Sequence, residues 1–268
     1  VAIVAIAGSL VYSKHQWLDK GTTQQYPITQ SAWKNDNFFD VSILKFCQKF
    51  SRKSRLIDES LGYISANNLL KCGLFSIVFW WLWFSENKVG EYKRRILVIQ
   101  ALMGSIIALI VGRLLVIGLP FRIRPLQNET LHLTLPYGVH PEILEGHSSF
   151  PSDHAILLCA MATGLFFISR RLGVLAFLYG FCLMIFPRVY LCYHYPSDIL
   201  AGIAIGFIIE FIIIKSEWIR AQAKTICQSS EKKPALFYPI FFLVTYQLAN
   251  MFDDVRSSIT FLAHLLFH

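Results

Sequence analysis

Phe186 to Gly202 reads FPRVYLCYHYPSDILAG, and it sets Arg188, His194 and Asp198 at the seam between two apolar runs. The run before the seam reads as the end of one membrane helix, and the run after it as the start of the next. Ionisable groups at such a boundary need a structural or a chemical reason. For this stretch alone, helix capping by Asp198 and interfacial snorkelling by Arg188 are sufficient structural reasons. Two further strings end or begin apolar runs in the same manner: LPFRIRPL (Leu119 to Leu126) and HSSFPSDHA (His147 to Ala155).

The composition fits membrane helices. Of 268 residues, 54% are hydrophobic and only 16% are charged, against about 25% charged in soluble domains; the mean hydropathy is +0.48. The net charge of +8, from 25 Lys and Arg against 17 Asp and Glu, does not indicate nucleic acid, because the basic residues lie in short loops between apolar runs. Six cysteines (Cys47, Cys72, Cys159, Cys182, Cys192 and Cys227) are scattered without a CxxC pair. They read as packing residues, with no metal site and no disulfide framework.

Along the chain, VAIVAIAGSLVY at 1–12 is either the remnant of a signal anchor or first membrane helix, or a short buried or interfacial segment. Residues 13–40 are polar and read as an exposed loop. From Val41 to Leu70, apolar and charged residues alternate at near-helical spacing, which predicts two amphipathic helices on the membrane surface. Apolar runs follow at 69–85, 96–119, from His154 to Arg170, and at 172–188, 198–215 and 235–251. Trp80, Trp81 and Trp83 close the first run as an interfacial belt.

The expected fold is an all-α, polytopic membrane helix bundle of about six transmembrane helices, with amphipathic surface helices near the N-terminus. Three regions follow. Residues 1–68 hold the apolar segment, loop and surface helices, residues 69–215 the catalytic core, and residues 216–268 a cytoplasmic loop and a C-terminal membrane helix. Each crossing changes side, so the three strings share one face. The other face collects Lys88, Lys93, Arg94, Arg95, Arg170, Arg171, Lys215, Arg220, Lys224, Lys232 and Lys233. Such a basic face is cytoplasmic by the positive-inside rule, which puts the strings on the extracytoplasmic side.

Together the strings carry a phosphate chemistry. His194 and Asp198 are four positions apart at a helix start, where a carboxylate either orients the imidazole or caps the helix. Pro151, Ser152 and Asp153 begin another helix, whose free amides favour an anion, and His154 follows directly. Arg124 and Arg188 supply permanently charged forks suited to phosphate oxygens.

These strings resemble the type 2 phosphatidic acid phosphatase and vanadium haloperoxidase superfamily. Its pattern is Lys, six residues, Arg-Pro; then Pro-Ser-Gly-His; then Ser-Arg, five residues, His, three residues, Asp. Here Arg124 and Pro125, then Pro151, Ser152 and His154, then Arg188, His194 and Asp198 stand at the matching positions. The chain departs from the pattern at Ile117 for the lysine, Asp153 for the glycine and Pro187 for the serine. Either Arg122 or Arg113 stands in for the lysine, and Asp153 needs a cation such as Arg122 or Arg188 beside it.

The resemblance implies an integral membrane phosphatase that forms a phosphohistidine at His194, oriented by Asp198. Arg124, Arg188, Ser152 and Arg122 then hold the phosphate, and His154 serves as acid and base; no metal or cofactor is implied. SFPSDHA is similar to bacterial undecaprenyl diphosphate phosphatases, which makes undecaprenyl diphosphate the favoured substrate at a bacterial inner membrane. Phosphatidylglycerophosphate or phosphatidic acid is the alternative lipid. A transporter or scaffold is the alternative of another class, and the apolar spans argue against a soluble haloperoxidase.

Overall fold

Asn37 accepts a hydrogen bond from the Phe39 amide and so starts α1 (Phe38–Gln48). Ser54 caps α2 (Arg55–Ala66) in the same way through the Ile57 amide. These two short helices are where the alternating pattern predicts them, but α1 begins three residues ahead of Val41. Asp40, expected in the exposed loop, therefore lies in its first turn with no exposed surface. The computed structural model describes residues 37–85, 90–142, 144, 146–255, 257–258 and 261–262. The apolar segment at 1–12, the polar stretch up to residue 36, and Lys88 lie outside the described residues.

The apolar runs form helices. They are α3 (Leu69–Phe84), α4 (Glu91–Gly118), α5 (Asp153–Ile168), α6 (Arg170–Tyr190), α7 (Pro196–Lys215) and α9 (Pro234–Ala249). With 28, 21 and 20 residues, α4, α6 and α7 are long and apolar enough to cross a membrane, since a crossing needs about 20 residues. The other three are apolar but shorter, so three of the six runs read as spans have full length. The connection expected as a loop after Lys215 is itself a helix, α8 (Glu217–Lys232), capped by Ser216. It buries Ile219, Ala223 and Cys227 at helical spacing.

Helix α5 is the centre of the bundle. Every residue from Ala155 to Leu165 is buried, and α4, α6 and α7 surround it. Gly202 and Gly206 let α7 approach closely. A Cβ at Gly202 would stand 2.7 Å from the Ser152 carbonyl oxygen, and one at Gly206 would stand 2.2 Å from that of Ile156. A second notch holds Glu210 of α7, which has no exposed surface. A Cβ at Gly104 of α4 would come 2.0 Å from its Oε2, and one at Gly164 of α5 would come 3.0 Å from its Oε1.

The tryptophans differ from the expected belt. Trp83 is fully buried and stacks on Phe237 of α9 at 5.1 Å between ring centroids, and Trp80 meets Phe241 edge-on at 4.7 Å. Only Trp81 of the three is exposed. The cluster thus joins α3 to α9, because two of its rings find aromatic partners across the helix interface.

Candidate active site

Backbone hydrogen bonds tie the three strings together. The Ser149 amide donates to the Arg122 carbonyl at 2.8 Å, the Ser152 amide to Asp198 at 3.3 Å, and the Leu126 amide to Cys192 at 3.0 Å. The ends of α4 and α6 and the starts of α5 and α7 consequently meet at one end of the bundle. Short loops that pair their own backbone groups in this way hold side chains as firmly as helices do.

His194 sits in the turn before α7 and is 3% exposed. Its Nδ1 lies 2.8 Å from the Ser149 carbonyl oxygen, whereas the nearest Asp198 oxygen is 3.7 Å away. A carbonyl only accepts, so Nδ1 carries the proton and Nε2 presents its lone pair. Burial, and then the neighbouring Arg124 charge, pull the imidazole down to about 4, against the opposing effect of Asp198. At neutral pH His194 is therefore an uncharged ring whose Nε2 lone pair faces the Arg124 guanidinium.

The direct orienting carboxylate expected from sequence is replaced by an indirect one. Asp198 Oδ2 accepts from the Ser149 hydroxyl at 2.5 Å and from the Tyr195 amide at 2.8 Å. It holds the residue whose carbonyl meets the ring, and at the same time it accepts from the amide at the start of α7.

Arg122 and Arg124 diverge from one short string. Arg122 donates to Asp198 Oδ1, to Asp40 Oδ2 at 2.8 Å and to the Ser197 hydroxyl at 2.9 Å, with its guanidinium 4.0 Å from the Tyr195 ring centre. Its two carboxylate partners have no exposed surface. Among the described residues, Arg124 pairs with no carboxylate. It donates to the carbonyls of His147 at 3.0 Å, Tyr193 at 2.6 Å and Ser148 at 3.1 Å, and its Nη1 stands 3.2 Å from His194 Nε2. Burial lowers it to about 10, so it stays charged at neutral pH.

The remaining predicted residues lie at the same end of the bundle. Arg188, 6% exposed, donates through Nη2 to the Ser65 carbonyl at 3.4 Å, while its Nε has no hydrogen-bond partner among the described residues. The Ser152 hydroxyl is fully buried and also has none. His154, second residue of α5, lies within electrostatic range of Arg188 and His194. Arg113 pairs with Asp153 at 2.8 Å, so the cation beside Asp153 is neither Arg122 nor Arg188. Buried donors without acceptors carry a desolvation cost of roughly 1–3 kcal/mol each, which an incoming phosphate would relieve.

Three contributors escaped the sequence. Ser149 stands in a quoted string, but its backbone carbonyl carries no residue-type signal. Ser197 and Asp40 share two hydrogen bonds across 157 positions, at 2.8 and 2.5 Å. A lone aspartate in the first turn of an amphipathic helix looks like an ordinary helix-dipole residue.

Residues 118–221, which contain all three strings, match the PAP2 superfamily model. Over that segment the chain is similar to the PAP2 superfamily. It is similar to undecaprenyl-diphosphatase BcrC of Bacillus subtilis (strain 168), 24% identical over 176 residues that cover 66% of this chain and 83% of the relative. It is also similar to the bacitracin transport permease protein BcrC of Bacillus licheniformis, 22% identical over 173 residues that cover 62% and 75%. No solved structure matches the chain.

Proposed function

We propose that the protein is a membrane-embedded lipid phosphatase that works through a phosphohistidine at His194, with undecaprenyl diphosphate as the best-supported substrate. One observation carries the proposal. The Ser149 carbonyl fixes the His194 ring so that Nε2 faces Arg124, among the partnerless Arg188 Nε and Ser152 Oγ. A reacting phosphoryl group at that point meets a lone pair on one side and fixed donors around its equatorial oxygens.

In the first step the Nε2 lone pair forms a bond to phosphorus while the bond from phosphorus to the leaving oxygen breaks. That oxygen takes its proton from His154. In the second step His154 takes a proton from water, the water oxygen attacks phosphorus, and the phosphorus–nitrogen bond breaks to return the pair to Nε2. Arg124 and Arg188 balance the phosphate charge throughout. Asp198, Ser149, Arg122 and Asp40 position these groups without touching substrate.

The lipid assignment rests on apolar helices that end at the site, which let a prenyl or acyl tail stay in the bilayer. The activity of the Bacillus subtilis relative favours a polyprenyl diphosphate. All six apolar helices then traverse or enter the bilayer, with α1 and α2 on its surface. The basic residues at the opposite end of the bundle support a site on the extracytoplasmic face.

Phosphate release from a panel of detergent-solubilised lipids tests this reading: undecaprenyl diphosphate, phosphatidylglycerophosphate and phosphatidic acid, with wild type beside His194→Ala and Arg124→Ala. Undecaprenyl diphosphate should give the highest kcat/KM, and both variants should lose the activity. Full activity in His194→Ala would remove the site assignment, and a preference for a glycerophospholipid would reassign the substrate.

A further inference from the structure

Helix α1 has two faces that answer to different surroundings. Its inner face is set into the bundle. Leu44 and Cys47 are buried there, and Asp40 accepts from the Ser197 amide at 2.8 Å and from Arg122 at 2.8 Å. Gln48 completes the seat by donating to the Cys192 sulfur at 3.3 Å. Ser197 stands in the first turn of α7, and Cys192 comes just after the end of α6. Both helices have spanning length, so α1 lies at the level where α6 ends and α7 begins.

The outer face is built of rings and ammonium groups. Phe38, Ser42, Lys45 and Lys49 follow one another by three or four positions and make one row along the helix, and Phe39, Phe46 and Phe50 make the row beside it. All are exposed, Phe38 by 86%, Phe46 by 58% and Phe50 by 52%. Phe46 and Phe50 meet edge-on at 5.5 Å between centroids, and the ammonium groups of Lys49 and Lys53 lie 5.8 and 5.5 Å from those two rings. The charged residues exposed between Phe38 and Lys53 are Lys45, Lys49, Arg52 and Lys53. No exposed carboxylate stands among them, because Asp40 is turned inwards.

A row of phenylalanines is unfavourable in water, and a row of lysines is unfavourable in hydrocarbon. The boundary of a bilayer suits both, since rings enter the acyl layer while lysine stems carry their charge to the lipid phosphates. The ends of α6 and α7 set α1 at that height. Charge then decides between lipids. A zwitterionic headgroup offers no net charge, whereas an anionic one complements a cation row that holds no carboxylate of its own.

We infer that the outer face of α1, with the turn that follows it, is a docking surface for anionic phospholipids of the surrounding leaflet. The inference rests on the reading of α6 and α7 as membrane spans and is independent of the phosphohistidine chemistry. Because Asp40 on the opposite face holds Arg122 and Ser197, the leaflet and the phosphate site share one helix.

The test is photo-crosslinking of the full chain in nanodiscs of equal parts phosphatidylcholine and phosphatidylglycerol with the same acyl chains. Phe46 is replaced by p-benzoylphenylalanine, and the adducts are weighed by mass spectrometry. Phosphatidylglycerol adducts should outnumber phosphatidylcholine adducts by about fivefold or more, the effect of one lysine at an anionic surface. Lys45→Gln combined with Lys49→Gln should remove most of that excess, and Lys45→Glu combined with Lys49→Glu should invert it. The same probe at Phe242, exposed on α9, should give equal adducts throughout, and melting shows which variants are folded. Equal lipid adducts at Phe46 with the lysines intact would overturn the inference, as would adducts to protein in place of lipid, or an excess that survives both lysine pairs in folded protein. Phosphate release is not the readout, so any of these results leaves the phosphatase reading standing.

Discussion

Arg122 and Arg124 are two residues apart in one string, and equally buried at 7% exposure, yet their surroundings are opposite. Two carboxylates neutralise Arg122, and it ties α1 to the start of α7. Carbonyl dipoles alone hold Arg124, so its full charge is directed at His194 Nε2. Residue type and burial therefore do not tell an arginine whose charge is neutralised within the fold from one whose charge is left for another partner. The number of fixed negative charges already within reach does.

The largest effect expected from this contrast is on rate. His194→Ala should abolish turnover, and Arg124→Ala should lower kcat by about 10²–10³, the usual loss when a transition-state donor is removed. Neither should shift the melting temperature much, because no buried carboxylate loses its partner. A large drop in thermal stability for Arg124→Ala would break the comparison.

Next in size is the reverse pattern at Arg122. Arg122→Ala leaves Asp40 and Asp198 buried without their cation, and should destabilise the fold by about 3–5 kcal/mol, measured by chemical denaturation in detergent. Adding Asp40→Asn to that variant should restore part of the loss, because one buried charge disappears. A double variant no more stable than Arg122→Ala would show that the two are not coupled.

The smallest effect is a titration. With the imidazole lowered to about 4 from an ordinary value of about 6.5, the native state binds its proton later than the unfolded chain. His194 thus contributes stability above pH ~6.5 that is lost as pH falls towards ~4. In a histidine-labelled NMR titration one ring, absent in His194→Asn, should stay neutral below pH 5. Arg124→Gln should move that ring back towards the ordinary value, and Arg122→Gln should not raise it in the same way.

The helices carrying the site were legible because hydrophobic period and the seams between apolar runs are local signals. Arg124, His154, Arg188, His194 and Asp198 stood out as candidates because they lie at such seams with the spacing of a known pattern. What the sequence could not show is how they are held. The ring of His194 rests on a main-chain oxygen, and Asp40 reaches the site across 82 positions to Arg122. Backbone acceptors have no residue identity, and a long-range ion pair has no spacing rule. The Trp80 and Trp83 pairing with α9 is of the same kind, since an interfacial belt and a buried aromatic seam share one local composition.

Glu210 and its two glycines have a consequence for how such chains can diverge. The carboxyl fills the volume that Gly104 and Gly164 leave open on two different helices, so the three positions act as a single spatial unit although they lie far apart in the chain. A bulkier residue at 104 can be accommodated only together with a shorter one at 210, and one at 164 must in addition displace Ala101, whose Cβ would lie 2.5 Å from it. Drift at these three sites is therefore expected to be concerted, and a change at one of them alone marks a chain whose α4, α5 and α7 have moved apart.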